Sequence, residues 1–172
     1  MNHSILPIVG RRSVRKYTNK PVTDEQVRAL LEAAMSAPSA MAMDPWRFLV
    51  LRERASLSAL AEILPHGKML NDAALGIVVC GDLSKAHGLS LSYLLQDCSA
   101  ATENLLLAAH FMGLGGVWLG VHPNEDRIEG IRTRFGVPLP VLPLAALSIG
   151  YPSEHPAMRT RYTDASVHTE RW

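Results

Sequence analysis

Apolar positions along the chain fall into a few strong patterns, and these predict the elements. Val27, Leu30, Leu31, Ala34 and Met35 recur at helical spacing and form one apolar face. Thr23-Asp24-Glu25-Gln26 precedes them and has the form of a capping box, with Thr23 as N-cap. The spacing predicts a helix over 24–37, ended by Pro38. Ile5, Ile8 and Val9 before Gly10 predict a shorter helical stretch within 3–10. Arg47 to Leu51 predicts a strand, 55–63 a short helix and Pro65-His66-Gly67-Lys68 a turn. Leu75 to Cys80 is nearly all apolar, as in a strand covered on both faces.

The longest pattern runs from Leu91 to Met112. Leu94, Leu95, Cys98, Ala101, Leu105, Ala108 and Ala109 form a wide stripe that Leu106 and Leu107 broaden. Such a helix is buried on more than one side, either inside a monomer core or at the seam of a dimer. Gly113-Leu114-Gly115-Gly116 ends it with a left-handed cap. Val117 to Leu119 predicts a strand closed by Gly120, Asn124 caps a helix to Phe135, and Leu144 to Ile149 predicts a strand. The segment 150–172 is polar and proline-rich, carries Arg159, Arg161 and Arg171, and is too long for a simple terminus. It is expected to run across a surface.

Composition narrows the class. A chain of 172 residues is most simply one domain, 1–172, with a real core. A formal net charge of +1 argues against a nucleic-acid binder, which needs a broad basic face. Cys80 and Cys98 lie in apolar surroundings, so a reduced, cytoplasmic protein is expected and no disulfide framework. The start, Met1-Asn2-His3-Ser4, is polar and has no signal-peptide character, and no apolar run is long enough to span a bilayer.

The candidate chemistry begins at Arg11-Arg12-Ser13-Val14-Arg15-Lys16-Tyr17, where no acid appears before Asp24. In an extended segment Arg11, Ser13 and Arg15 project from one side, and guanidinium groups with a hydroxyl suit a phosphate. Taken alone, such a run is a solvated basic turn. The histidines show no zinc spacing, so no metal site is expected. No Gly-x-Ser-x-Gly or triad is visible. Gly113-Leu114-Gly115-Gly116 follows a helix and precedes a strand, the reverse of a dinucleotide fingerprint. Trp46 is expected in packing.

Four separated segments give the chain a resemblance. They are Arg11 to Tyr17, the loop Pro38-Ser39-Ala40…Pro45-Trp46, Asp97…Asn104-Leu105…Gly113 to Trp118, and Ile149-Gly150-Tyr151-Pro152 before the arginine tail. In order and spacing they resemble the nitroreductase family of flavoproteins in its short form. The resemblance implies an α+β fold with a central mixed, mostly antiparallel sheet between helices. It also implies an intertwined homodimer with two FMN sites, each built from both protomers, and a tail from about 150 extending over the partner.

Site roles follow from the same resemblance. Arg11, Ser13 and Arg15, with Arg12 beside them, match the group that holds the FMN phosphate and ribityl chain. Arg159 and Arg161 match a basic tail pair that closes on that phosphate. Pro38, Ser39 and Ala40 match a loop reaching the flavin from the partner. Lys68 matches a lysine near flavin N1 and O2. Trp118, Leu119 and Gly120 match the segment under the ring, with the Gly120 N–H as donor toward N5. Met41 and Met43 are candidate substrate contacts, since Met adapts to varied ligands.

Two positions depart from the family pattern. Ala42 stands where Asn is common and Asp44 where Gln is common. A carboxylate facing a reduced flavin is unfavourable unless paired, so Asp44 either points away, toward an arginine for instance, or changes the pocket. The leading reading is an FMN-dependent oxidoreductase. Hydride passes from NADH or NADPH to flavin N5 and then, in a ping-pong cycle, to a small-molecule acceptor such as a nitroaromatic or quinone. A flavin-binding carrier or sensor without turnover is the alternative, favoured by Ala42 and Asp44. A phosphate- or nucleic-acid-binding module ranks third, and the near-neutral charge counts against it.

Overall fold

The Thr23 capping box forms. Thr23 Oγ1 accepts the Gln26 N–H at 3.2 Å, and Gln26 Oε1 accepts the Thr23 N–H at 3.0 Å. The computed structural model describes residues 3–172, so Met1 and Asn2 of the polar start lie outside it. A 3-10 turn, His3–Ile5, leads into α1 (Leu6–Gly10), and the capping box opens α2 (Asp24–Met35). This helix ends at Met35 with Ser36 as its C-cap, the Ser36 hydroxyl donating to the Glu32 carbonyl at 2.8 Å, one turn before Pro38. There follow β1 (Trp46–Leu51), α3 (Arg54–Ile63), β2 (Leu75–Asp82), α4 (Leu91–Phe111), β3 (Gly115–Gly120), α5 (Glu125–Phe135) and β4 (Val141–Gly150).

The strands form one sheet in the order β1-β2-β4-β3, and every neighbouring pair is antiparallel. Among the described residues the parallel component is a bridge from Ser13 to Gly116, outside the named strands. The central strands are covered on both faces. Ile77 and Val79 pack with Leu30, Ala34, Leu94, Cys98 and Leu105, on the side of α2 and α4. Val78 and Cys80 pack with Leu57, Leu60, Ile128 and Ile131, on the side of α3 and α5. This alternation is the pleat read out in side chains. Trp46 is buried in the first cluster, as packing required. Among the described residues no helix is long and apolar enough to cross a membrane.

α4 ends as its glycines predict. Gly113 is left-handed (φ 72°), its N–H donates to the His110 carbonyl at 3.0 Å, and the Leu114 N–H donates to the Ala109 carbonyl at 2.8 Å. The chain can then enter β3 directly. Along α4 the residues Leu94, Cys98, Ala101, Leu105 and Ala109 are buried, whereas Leu91, Tyr93 and Phe111 remain exposed.

Two glycines let the basic segment lie across the sheet. A Cβ on Gly115 would stand 2.7 Å from Val14 Cβ, and one on Gly150 would stand 2.9 Å from Tyr17 Cδ1. The Tyr17 hydroxyl faces the carbonyls of Val14 at 2.7 Å and Ser148 at 3.0 Å, which ties the segment to β4. Beyond β4 the chain is bound back to it: the Ser153 N–H donates to the Lys16 carbonyl at 2.9 Å, and Glu154 Oε1 accepts the Arg15 N–H at 2.6 Å. Residues 157–172 are exposed throughout.

Candidate functional site

β3 is an edge strand, and its free edge explains the site. Its inner edge pairs with β4; on the outer edge the Gly116 carbonyl accepts the Val14 N–H at 3.0 Å. In an antiparallel strand both polar groups of one residue point the same way, and successive residues alternate. Gly116 faces outward, so Trp118 and Gly120 do too. The Gly120 carbonyl receives Arg127 Nη1–H at 2.8 Å. The Gly120 N–H is turned to the open edge.

A cleft of about 660 Å³ lies there, a volume suited to a small molecule or cofactor. Arg15, Lys68, Trp118, Leu119 and Gly120 line it. Leu64, Pro65, His66, Met69 and Arg127 complete the wall. A Cβ on Gly120 would meet only Arg127 Nη1, at an ordinary 3.9 Å, and the residue is not left-handed. Neither backbone nor packing in this chain requires a glycine there. Its effect is to leave the strand bare toward the cleft, which suits close approach of a flat ligand.

The charge in the cleft is one-sided. Arg15, Lys68 and Arg127 line it, and no carboxylate does. Among the described residues none of the three forms an ion pair, whereas Arg11, Arg28, Arg47, Arg52 and Arg132 each pair with a carboxylate. The site is therefore prepared for an anionic or electron-rich ligand. No group of three His, Cys, Asp or Glu side chains is placed to hold a metal ion among the described residues.

The fold brings together five of the residues singled out in the sequence: Arg15, Lys68, Trp118, Leu119 and Gly120. The others lie elsewhere. Arg11 caps α1 and pairs through Nε with Glu103 Oε1 at 3.2 Å, so it does not align with Arg15. Arg12 donates to the Ala157 carbonyl, and both arginines line a smaller cavity of about 140 Å³ with His110 and Glu154. Ser13 makes the bridge to Gly116. Arg159 and Arg161 are exposed on the tail.

Pro38, Ser39 and Ala40 belong to a separate loop. Ala40 donates its N–H to Asp97 Oδ1 at 2.9 Å. Met41 and Met43 project from it, 76% and 45% exposed. Asp44 contacts Ser39 within this loop: Ser39 Oγ stands 2.6 Å from Asp44 Oδ1 and accepts the Asp44 N–H at 3.0 Å. The cleft residues that sequence reasoning missed are His66, Met69 and Arg127. For Arg127 a signal existed. It is a cation in the first turn of α5, where the helix dipole favours acids such as Glu125 and Asp126.

Comparison with known proteins agrees with this geometry. A model of the Nitroreductase family matches residues 8–67 and 64–151. The chain is 45% identical over 167 residues to a Methanothermobacter thermautotrophicus protein provisionally named NADH dehydrogenase/NAD(P)H nitroreductase, covering 96% of this chain and 85% of that one. A crystal structure of a Parabacteroides distasonis protein with the same provisional name superposes with a TM-score of 0.93 at 40% identity, covering 100% of both chains. A provisionally assigned nitroreductase from Desulfovibrio desulfuricans, solved in complex with FMN, superposes with a TM-score of 0.84 at 32% identity, covering 100% of this chain and 99% of that one. The chain belongs to the nitroreductase family.

Proposed function

We propose that this chain is an FMN-dependent NAD(P)H oxidoreductase that works as a homodimer in the cytoplasm. The observation that carries the reading is the cleft at the β3 edge, where a bare glycine strand and unpaired cations converge. Arg15 anchors the phosphate and ribityl chain. Lys68 provides positive charge toward N1 and O2. Trp118, Leu119 and Gly120 form the floor under the ring, and the Gly120 N–H is the donor toward N5. When bound, FMN supplies hydride chemistry at N5, drawing electrons from NADH or NADPH and delivering them in a ping-pong cycle to a small acceptor such as a nitroaromatic or quinone.

The remaining residues complete the site from both protomers. Arg11, Arg12 and Ser13 shape the phosphate end, and Arg159 and Arg161 close on it from the tail. The Pro38-Ser39-Ala40 loop reaches the flavin across the dimer seam and presents Met41 and Met43 to the acceptor. The exposed residues of α4 and the exposed tail over 157–172 support this arrangement, since one chain leaves them uncovered. The whole chain, 1–172, forms one flavin-binding domain with its tail over the partner. The experiment is extraction and chromatography of the bound flavin together with light scattering. FMN and twice the chain mass are expected. Recovery of FAD, or a colourless protein that FMN cannot restore, would overturn the proposal.

A further inference from the structure

Arg127 is held where the local structure disfavours it. It occupies the third position of α5, its N–H accepted by Asn124 Oδ1 at 3.2 Å. A cation in a first helical turn opposes the macrodipole. Its Nε is buried without a hydrogen-bond partner, which also costs stability. Glu125 and Asp126 stand beside it in sequence, yet it forms no ion pair with either among the described residues. The guanidinium instead reaches to β3, where Nη1 donates to the Gly120 carbonyl at 2.8 Å. It also lines the cleft, which has no carboxylate in its wall. Arg15 and Lys68 have roles toward the phosphate and the ring under the function proposed above; Arg127 has none.

We infer that Arg127 is a positioning residue of this site: it pins the end of β3 so that the Gly120 N–H keeps its direction into the cleft, and it fixes a positive charge beside that N–H that raises the reduction potential of bound FMN. The inference rests on the flavin reading of the cleft. Reduction adds negative charge to the ligand, and a fixed cation close by stabilises the more negative form. A guanidinium is permanently charged, so the effect persists across the physiological pH range. The bond to the Gly120 carbonyl holds that charge in place, with no reorganisation needed when the ligand changes charge.

The test is the midpoint potential of FMN bound to the full chain, measured by equilibration with reference dyes. Wild type is compared with Arg127→Gln, Arg127→Met and Arg127→Lys, and flavin occupancy is read from each spectrum. Glutamine keeps a donor for the Gly120 carbonyl and deletes the charge, so the potential should become more negative while FMN stays bound. Methionine should shift the potential at least as far and also weaken FMN binding. Lysine should stay close to wild type. A fully loaded Arg127→Gln chain with the wild-type potential overturns the inference. If neither neutral variant holds FMN, the lysine variant decides. The wild-type potential then supports the inference, and a lowered potential or loss of FMN overturns it. A wild-type chain that takes up no FMN is a different failure: it removes the flavin reading itself, and this inference with it.

Discussion

Asp97 Oδ1 accepts the Ala40 N–H at 2.9 Å, so a carboxylate buried on α4 holds the start of the 38–44 loop. That loop contains three non-glycine residues in the left-handed region: Met41 (φ 55°), Ala42 (φ 53°) and Asp44 (φ 48°). Each such residue costs on the order of 1 kcal/mol or more and persists only where the surroundings dictate it. Asp97→Ala should therefore lower stability by about 1–3 kcal/mol, through an unsatisfied N–H and a released loop. Asp97→Asn keeps an acceptor and should cost less. Urea unfolding of the flavin-free chain checks this, and an alanine variant as stable as wild type would contradict it.

The basic segment depends on a second close contact. A methyl group on Gly115 would lie only 2.7 Å from Val14 Cβ, so Gly115→Ala must push the segment off β3. Overpacking of this kind costs about 1–3 kcal/mol. Because the same segment carries Arg15 into the cleft, the variant should also bind FMN more weakly. Denaturation and an FMN titration on one preparation report both effects, and normal FMN affinity in a destabilised variant would separate the segment from the site.

Alkaline pH gives an independent check on the packing. Burial pushes the Tyr17 phenol up to about 12 from an ordinary 10.0. Burial likewise pushes the Cys80 and Cys98 thiols up to about 12 from 9.0. In each case the folded chain retains a proton that the unfolded chain has lost. Stability is thus complete below the unfolded values and declines as pH rises toward the folded ones, by up to about 1.4 kcal/mol per unit for each group. Tyr17→Phe should be less stable at neutral pH, having lost its hydrogen bonds to backbone carbonyls. Its deficit should narrow above pH 10, where only wild type titrates at this position. Parallel stability curves from about pH 8 to about pH 11 would show that Tyr17 does not titrate this way.

Anchoring and support of the reaction should separate by mutation. Arg15→Ala should raise the FMN dissociation constant, since a charged hydrogen bond contributes about 1.5–3 kcal/mol. Its flavin reduction should largely recover when the site is saturated. Gly120→Val has room for its Cβ, so stability should change by no more than about 0.5 kcal/mol. It should nevertheless slow flavin reduction, by filling the face that the strand leaves open. Stopped-flow reduction at known occupancy distinguishes the two. A saturated Arg15→Ala chain that stays slow would show that the division is wrong.

Much of this architecture was legible in the sequence because the strongest signals are local. The Thr23–Gln26 box, the Gly113 stop and the Asn124 cap each depend on a few adjacent residues, and each forms at the expected place. β2 read correctly as doubly covered because both of its faces are apolar. The site was only partly legible. Trp118 to Gly120 and Lys68 share one cleft, but Arg11 was expected beside Arg15. Its side chain is drawn away by Glu103, a partner 92 positions distant that no local pattern announces. For Asp44 the sequence left two readings open, and its short contact is with Ser39 within its own loop, a partner five positions away. Arg127 left a local mark, a cation in the first turn of α5, but its partner is a backbone carbonyl that residue identities do not reveal.

Under the proposed function, the cleft at the β3 edge holds an FMN that exchanges electrons with a nicotinamide nucleotide. The most direct test is anaerobic mixing of the FMN-loaded protein with NADPH or NADH while the flavin absorbance is followed. Rapid bleaching by at least one of the two is expected, with recovery of colour when a nitroaromatic or quinone is added. A protein whose FMN is reduced by dithionite but by neither nucleotide would contradict it and would favour a flavin carrier.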